Sequence, residues 1–203
     1  MLGWNIYDWL FLVMFAGTFV IRWPYARARR KASIVKAQFD LKEKAGLFLA
    51  FLGGLVLPAV YLFTPLLSFA DYQVPMPCGV LGALLIPPSL WLFWRSHRDL
   101  GTQWSPKLEL NDDHRLITNG VYGYVRHPMY TAVFLMCLAQ LLLVGNWLAG
   151  PGYLFGFSIL YVTRIHREEA FMISQFGHEY EAYMQRTSRL VSRALLSGAF
   201  RSH

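Results

Sequence analysis

The sequence has little charge and few acidic residues. Only 15% of its 203 residues are charged, while 55% are hydrophobic and 16% are aromatic; soluble domains average about 25% charged residues. Twelve Asp and Glu residues face nineteen Lys and Arg residues, which gives a formal net charge of +7. This composition disfavours a soluble globular protein, and the high hydrophobic fraction excludes an intrinsically disordered one. The length fits one domain, residues 1–203.

Cysteine is also scarce, and the positions of the two cysteines exclude several kinds of site. Cys78 and Cys137 both lie inside apolar segments, which is neither a disulfide framework nor a zinc-binding pattern. We therefore predict no metal site. Residues 6–21 follow no basic residue, so we expect them to be a membrane helix and not a cleavable signal peptide.

Long apolar runs occupy much of the chain, and Asp8 is the one charged residue within them. Apolar segments cover residues 6–21, 46–70, 74–94 and 129–163, and Gly145-Asn146 interrupts the last. The second and third are long enough to cross a bilayer, whereas each half of the last has roughly 16 apolar residues, about 24 Å of helix. We therefore predict an all-α integral membrane bundle of five transmembrane helices, in which the last two form a short helical hairpin.

The basic residues are confined to three segments outside the apolar runs. Eight lie in residues 22–45, five in residues 95–128 and six in residues 164–203. This segregation follows the positive-inside rule and predicts an outside N-terminus, with the C-terminus and the long loops in the cytoplasm. A nucleic-acid-binding protein has no reason to separate charge in this way, so we expect no nucleic-acid partner, and no obligate protein partner is evident.

Two patterns concern how the last helices pack. Gly152 and Gly156 have the small-xxx-small spacing that lets a helix approach its neighbour closely. An apolar stripe at helical spacing predicts a C-terminal amphipathic helix that lies on the membrane or under the bundle; its members are Met172, Phe176, Tyr180 and Tyr183.

The candidate functional residues lie in the second half of the chain. A polar loop, residues 95–128, ends at Arg126-His127-Pro128-Met129-Tyr130. Each of these side chains has an ordinary interfacial role: Arg126 can extend to the lipid headgroups and Pro128 can begin a helix. A histidine at such a junction is more often a hydrogen-bonded interface residue than a catalyst.

Adjacent acidic residues follow the last apolar segment. Glu168 and Glu169 come directly after Arg164 and Arg167, and their simplest role is ion pairing with these arginines or with Arg126. Because a hairpin returns the chain to the level at which it started, we predict that the two charged clusters are neighbours. Ionisable groups at membrane depth are candidates for function, and these indicate a cytoplasmic-face site for a polar cofactor and a lipophilic substrate.

Several motifs occur in a fixed order over residues 95–190. They are R-D-L-G-x-x-W-S at 98–105, H-x-L-I-T-N-G-V-Y at 114–122, R-H-P-M-Y at 126–130, E-E at 168–169 and F-G-x-E-Y-x-x-Y at 176–183. In this order they resemble the isoprenylcysteine carboxyl methyltransferase family of integral membrane enzymes. The number of helices is similar to that of the compact prokaryotic members, which implies a prokaryotic inner membrane.

The resemblance implies a methyltransferase that uses S-adenosyl-L-methionine, releases S-adenosyl-L-homocysteine, and methylates the α-carboxylate of a prenylated cysteine or a similar lipophilic substrate that enters from the bilayer. Residues 1–94 would supply three transmembrane helices, and residues 95–190 the catalytic core with its cytoplasmic cofactor-binding loop. The cofactor would contact His114, Leu116, Gly120, Tyr122, Arg126, His127, Pro128, Tyr130, Glu168 and Glu169. Catalytic roles would fall on Arg164, Glu168 and His127.

Other functions of similar proteins stay open at this point. Phospholipid N-methyltransferases and small-thiol S-methyltransferases share the core, and there a carboxylate base such as Glu168 would matter more, because an amine or a thiol must lose a proton. A sterol reductase branch shares an R-H-x-x-Y element, although Pro128 and the paired glutamates favour the methyltransferases. A non-enzymatic membrane scaffold is the remaining alternative.

Overall fold

The computed structural model describes residues 4–29, 41–101 and 116–192, and within these ranges the secondary structure is helical, with two isolated β-bridges and no strand. The helices are α1 (Ile6–Arg29), α2 (Leu41–Phe51), α3 (Leu57–Phe63), α4 (Met76–Leu100), α5 (Pro128–Leu143), α6 (Ala149–Phe176) and α7 (His178–Arg186). A π-helical turn, Leu52–Val56, joins α2 to α3, and short 3₁₀ turns lie at Ser68–Ala70 and Gly120–Gly123.

Three helical segments among the described residues are long and apolar enough to cross a membrane. They are Ile6–Arg27, Leu41–Phe63 and Met76–Leu100, and α5 is a shorter apolar helix. The apolar runs of the sequence are therefore mainly helical, and the predicted all-α membrane bundle is confirmed at this level. Helices α1, α4, α5 and α6 enclose a core of buried apolar side chains that includes Phe11, Phe93, Met136, Cys137, Leu143 and Phe157.

The hairpin breaks where the sequence predicted, and Asn146 is the reason. Its side-chain oxygen accepts the N–H groups of Leu148 and Ala149 at 3.0 and 2.9 Å, which satisfies free donors at the start of α6. Its amide nitrogen donates to Asp71 at 2.7 Å. The second arm is longer than expected: α6 runs for 28 residues to Phe176, so the glutamate pair lies on the same helix as the apolar arm.

The single amphipathic helix predicted near the C-terminus is two helices. Met172 and Phe176 belong to α6, whereas Tyr180 and Tyr183 belong to α7. Gly177 separates them with a φ of 52°, a backbone conformation that glycine adopts without steric cost. The chain therefore turns after α6, and α7 packs back against it.

Glycines bring α2 and α6 into close contact, as the spacing of Gly152 and Gly156 predicted. A Cβ atom on Gly156 would lie 2.3 Å from the carbonyl oxygen of Leu49, and one on Gly53 would lie 2.0 Å from the carbonyl oxygen of Gly152. The two backbones thus touch directly. This contact fixes the rotation of α6, and with it the direction in which the charged end of α6 points.

Gln140 connects three helical elements in the apolar interior. Its amide nitrogen donates to the carbonyl oxygens of Gly53, in the π-helical turn, and of Ala149, at the start of α6, at 2.9 and 2.7 Å. The π-helical turn precedes Pro58, which lacks an N–H and therefore cannot continue the regular hydrogen-bond pattern. These bonds hold α5 directly against the π-helical turn and the start of α6.

Candidate active site

A cavity of roughly 690 Å³ lies between α1, α2, α4, α5, α6 and α7, with walls from all six helices. Its volume is in the range of cavities that bind small molecules. One face of each of three helices lines it: Phe11 to Arg22 of α1, Met129 to Gln140 of α5, and Tyr153 to Glu168 of α6. The faces of α1 and α6 are mainly apolar and end in Arg22 and in Arg164 and Glu168. The face of α5 begins beside Arg126 and His127 at this same charged end, and Gln140 lies at its other end, near the start of α6.

The loop before α5 forms a wall at the charged end of the cavity. Gly120 has a φ of 60°, and a Cβ atom there would lie 2.1 Å from the Asp99 carboxylate. Only glycine fits this position, because it combines the unusual backbone with the close contact. Asp99 accepts the N–H of Val121 at 2.9 Å, which anchors the loop to the end of α4. The adjacent Tyr122 is buried and lines the cavity.

Aromatic side chains of α7 complete this wall. The Tyr183 hydroxyl donates to the carbonyl oxygen of Tyr122 at 2.6 Å, and Tyr180 and Tyr183 are 2% and 3% exposed. Phe171 and Met172 of α6 line the same region. Flat aromatic walls suit a planar heterocycle, since aromatic rings stack on one another in offset or edge-on geometry.

Glu169 is the centre of a buried ion-pair network. It is 4% exposed, and its carboxylate accepts from Arg126 at 2.9 Å and from Arg189 at 2.6 Å. The imidazole of His127 lies 3.4 Å away. Both oxygens of Glu169 are therefore occupied by side chains of the protein, and its ion pairs hold α6, the end of the loop and the C-terminal segment together.

These contacts determine the charge of Glu169. Burial by itself raises the pKa of the carboxyl group, but the nearby His127 imidazole and the hydrogen bonds from Arg189 and Arg126 outweigh burial and hold the pKa well below its usual range. Glu169 lies beyond the apolar segment of α6. It is a carboxylate at neutral pH, and its charge is matched by the arginines around it.

The segment after α7 passes alongside the start of α5 and is held there by main-chain hydrogen bonds. The N–H groups of Arg126 and His127 donate to the carbonyl oxygens of Ser188 and Arg189 at 2.8 and 3.0 Å. The Arg126 guanidinium also donates to the carbonyl oxygens of Met184, at 3.1 Å, and of Thr187. Arg126 thus uses its donors to fix the C-terminal segment under the cavity.

Glu168 has a different environment from its neighbour. It lines the cavity, and its side chain is 27% exposed. The Tyr130 hydroxyl donates to its Oε2 at 2.6 Å, and Arg164 lies 3.5 Å from the same oxygen. Arg164 is shared, because its other side faces Glu43 of α2 at 3.5 Å. A carboxylate and a guanidinium are thus presented side by side to the cavity.

The structure brings most of the residues proposed from the sequence to this one cavity. Leu116, Tyr122, Arg126, His127, Tyr130, Arg164 and Glu168 line it. Gly120, Pro128 and Glu169 lie directly behind its wall as turn, helix start and ion-pair centre. His114 lies outside the described residues.

Other residues take part in the site that the sequence analysis did not propose as site residues. They are Arg22, Glu43, Asp99, Tyr183 and Arg189. Asp99 and Tyr183 belong to motifs that the sequence analysis quoted, so their position in these motifs was the available signal. Arg22 and Arg189 were counted only among the basic residues of the charged segments, and Glu43 was not singled out.

The outer surface of the bundle defines the class of protein. Many large apolar side chains are exposed there, for example Val20, Phe69 and Phe155 at 73%, 79% and 65%. In water such a surface would be unstable, whereas lipid tails accommodate it. The chain is therefore an integral membrane protein that is helical in its described residues, with a cavity that joins an apolar interior to a charged end.

Comparisons with known proteins identify the family that it resembles. Residues 83–174 match the model of the isoprenylcysteine carboxyl methyltransferase (ICMT) family. A protein-S-isoprenylcysteine O-methyltransferase of Schizosaccharomyces pombe is 38% identical over 76 residues, and one of Saccharomyces cerevisiae is 30% identical over 125 residues. The resemblance that the motifs indicated is confirmed.

The extent of these matches is partial. The two alignments cover 37% and 61% of this chain, and 32% and 52% of the relatives. The chain thus aligns with about a third to a half of the length of these eukaryotic relatives. A solved structure of the eukaryotic intramembrane Ras methyltransferase ICMT superposes with a TM-score of 0.52 at 20% identity. The superposition covers 89% of this chain and 62% of that one, and shows a common fold.

Proposed function

We propose that this chain is a membrane methyltransferase that uses S-adenosyl-L-methionine to methylate the α-carboxylate of a prenylated cysteine or a similar lipophilic acid. One observation carries the proposal: a single cavity joins a charged, aromatic-walled end to an apolar interior. Such a cavity suits a polar cofactor and a lipid-like substrate that meet at the boundary. The charge distribution favours a cytoplasmic charged end and five membrane spans with an outside N-terminus.

The residues at the charged end fit the proposed cofactor. Tyr122, Tyr180 and Tyr183 offer aromatic faces for an adenine ring, and Glu168 offers a carboxylate for a cationic group. When bound, the cofactor supplies an electrophilic methyl group on a sulfonium. Glu168 is better placed for contact than Glu169, because Glu169 already binds two arginines.

The chemistry of a carboxylate substrate requires no general base. A free α-carboxylate has a pKa of about 3.3–3.7, so it is already a nucleophile at neutral pH. The protein must bind it, orient it and exclude water. Arg164 is in position to orient the carboxylate, and its ion pairs with Glu43 and Glu168 weaken its grip. A weaker grip is useful, because tight binding of the ground state would slow the attack.

We propose that the lipophilic substrate reaches the cavity from the bilayer, with membrane lipids as its surroundings. Apolar side chains are exposed on the outside of the bundle, and apolar side chains also line the cavity inside it. The two sides of the helices therefore offer similar surfaces. A prenyl chain loses little on moving between them, since both are apolar.

Binding of the cofactor product is testable without turnover. We expect S-adenosyl-L-homocysteine to raise the melting temperature of the detergent-solubilised protein, because a ligand that binds only the folded state stabilises it. His127→Ala should reduce this shift, since His127 lines the cavity. His166→Ala, at an exposed position of α6, is the matched control and should keep the full shift. An absent shift in the unmodified protein would contradict the proposed cofactor.

The acceptor is tested by methyl transfer. Membranes that contain the protein are incubated with methyl-labelled S-adenosyl-L-methionine and, separately, with N-acetyl-S-farnesyl-cysteine, phosphatidylethanolamine and methanethiol. We expect a base-labile methyl ester on the farnesylated acid, because its carboxylate needs no proton removal before attack. Labelling of the amine or the thiol alone would refute carboxyl methylation.

A further inference from the structure

The cavity-lining face of α1 ends in a cation that the proposed mechanism does not use. This face consists of side chains three or four residues apart, namely Phe11, Met14, Phe15, Thr18, Phe19 and Arg22. At ~1.5 Å per residue, the apolar part extends about 16 Å before it reaches Arg22. Arg22 is exposed, at the edge of the cavity.

The cavity-lining face of α6 ends in the same way. It passes from Tyr153, Phe157 and Leu160 to Arg164, which is largely buried. Arg22 and Arg164 are close enough for their charges to interact, although they come from helices more than a hundred positions apart in the sequence. The apolar faces of α1 and α6 thus each end in a guanidinium group, at the boundary between the apolar part of the cavity and its charged end.

The charges around this boundary favour an anion. Among the charged side chains that line the cavity, Arg22, Arg126 and Arg164 face one acidic residue, Glu168. Arg126 is neutralised by Glu169 behind the wall. An anionic group between Arg22 and Arg164 would relieve their mutual repulsion and could accept hydrogen bonds from both, an arrangement for which guanidinium groups are well suited.

We propose that Arg22 and Arg164 together bind the acidic head group of the substrate, and that Arg22 is a specificity-determining residue that makes the protein prefer a carboxylate over a neutral head group. This inference rests on the proposed function, which it deepens. Arg22 lies outside residues 83–174, the region that matches the family, so it is a contribution of this chain's own first helix.

The division of labour between the two arginines follows from their surroundings. Arg164 faces two glutamates, so its attraction for a further anion is partly offset. Arg22, at the cavity edge, can bind the head group without contact with the bond that forms. Because the carboxylate loses its charge as the ester forms, an ion pair with Arg22 stabilises the bound substrate more than the transition state, so its loss raises KM and does not lower kcat. We therefore expect Arg22 to act on KM.

Binding of an acid and of its neutral analogue tests the proposal. Purified protein in detergent is titrated with N-acetyl-S-farnesyl-cysteine and with its carboxamide, which have the same size but an anionic and a neutral head group. We expect Arg22→Met to weaken binding of the acid roughly tenfold, the effect of one hydrogen bond to a charged group, and to leave carboxamide binding unchanged. Arg22→Lys should restore part of the preference, since it keeps the charge.

A matched control and a second acid separate the other outcomes. Arg27→Met removes another exposed cation of α1 that does not line the cavity, and should leave both ligands unaffected. If Arg22 only anchors the helix to lipid headgroups, Arg22→Met will change the two affinities equally or not at all, which contradicts the proposal. If Arg22→Met weakens binding of farnesyl phosphate but not of the carboxylate, the site is one for phosphates and the proposal is wrong.

The experiment also separates this inference from the proposed function. If no acceptor is methylated but the acid is still preferred in a manner that depends on Arg22, the proposed reaction fails and the anion site stands. If the farnesylated acid is methylated but Arg22→Met changes neither its KM nor the preference for the acid, the reaction stands and the inference fails.

Discussion

Replacing Glu168 by glutamine should reduce methyl transfer by at least about a hundredfold, the usual cost of removing one preorganised charged group from an active site. Glu168 lines the cavity, and its carboxylate accepts a hydrogen bond from the Tyr130 hydroxyl at 2.6 Å. Glutamine keeps the shape and the acceptor oxygen but removes the charge that a cationic cofactor would face. Initial rates with labelled cofactor and farnesylated acid measure the effect.

The same variant should remain folded. The Glu168 side chain is 27% exposed, and Arg164 keeps its second carboxylate, Glu43, at 3.5 Å. We expect a change in the free energy of unfolding of no more than about 1 kcal/mol, as for partly exposed ion pairs. Binding of S-adenosyl-L-homocysteine, followed by its thermal shift, should weaken in parallel with activity. Activity within threefold of the unmodified protein would show that Glu168 does not contact the reacting groups.

Replacing the adjacent Glu169 by glutamine should instead destabilise the protein, by about 3–5 kcal/mol, because it leaves the buried guanidinium of Arg126 without its anion. Arg126 is 7% exposed and donates to Glu169 at 2.9 Å, and Arg189 donates at 2.6 Å. The loss should appear as a lower melting temperature and as a smaller folded fraction after extraction into detergent. Glu179→Gln, at an exposed site on α7, removes the same charge and should change little.

A double mutant and the pH dependence both sharpen this test. Adding Arg189→Met to Glu169→Gln should cost less than the sum of the two single changes, because the two residues act through one contact. The pKa of Glu169 is lowered in the folded protein, so its stabilising contribution is complete above the ordinary value of about 4.3. That contribution is lost as the pH falls below this value. Equal melting temperatures for Glu169→Gln and Glu179→Gln would refute the structural role.

The sequence could not assign different roles to the two glutamates. They are neighbours in the chain, and consecutive residues on a helix point roughly 100° apart, since a turn has about 3.6 residues. Which one faces the cavity depends on the rotation of α6 about its axis. That rotation is set by the contact of Gly156 with the Leu49 backbone and of Gly152 with Gly53, between segments about a hundred residues apart.

The contributions of the first two helices and of the C-terminal segment were also beyond sequence reasoning. Arg22, Glu43 and Arg189 belong to charged segments in which every basic or acidic residue can be explained by exposure to solvent or lipid headgroups. Only packing shows that Glu43 is buried beside Arg164, and that Arg189 reaches Glu169. The sequence does not show which residue forms an ion pair with a given charged side chain in such a segment, because the pairing depends on how the helices pack.

What the sequence by itself determined is local in character. The apolar runs define the helices, because a backbone in lipid must satisfy its hydrogen bonds internally, and the segregated basic residues set the expected orientation. Asn146 determines the hairpin break through bonds to its own neighbours, and the ordered motifs indicate the family. The tertiary structure decided the rest: one cavity joined to one charged end, and an opposite assignment for two adjacent glutamates. Those features depend on how helices rotate and pack against each other, and packing is a property of contacts between distant residues.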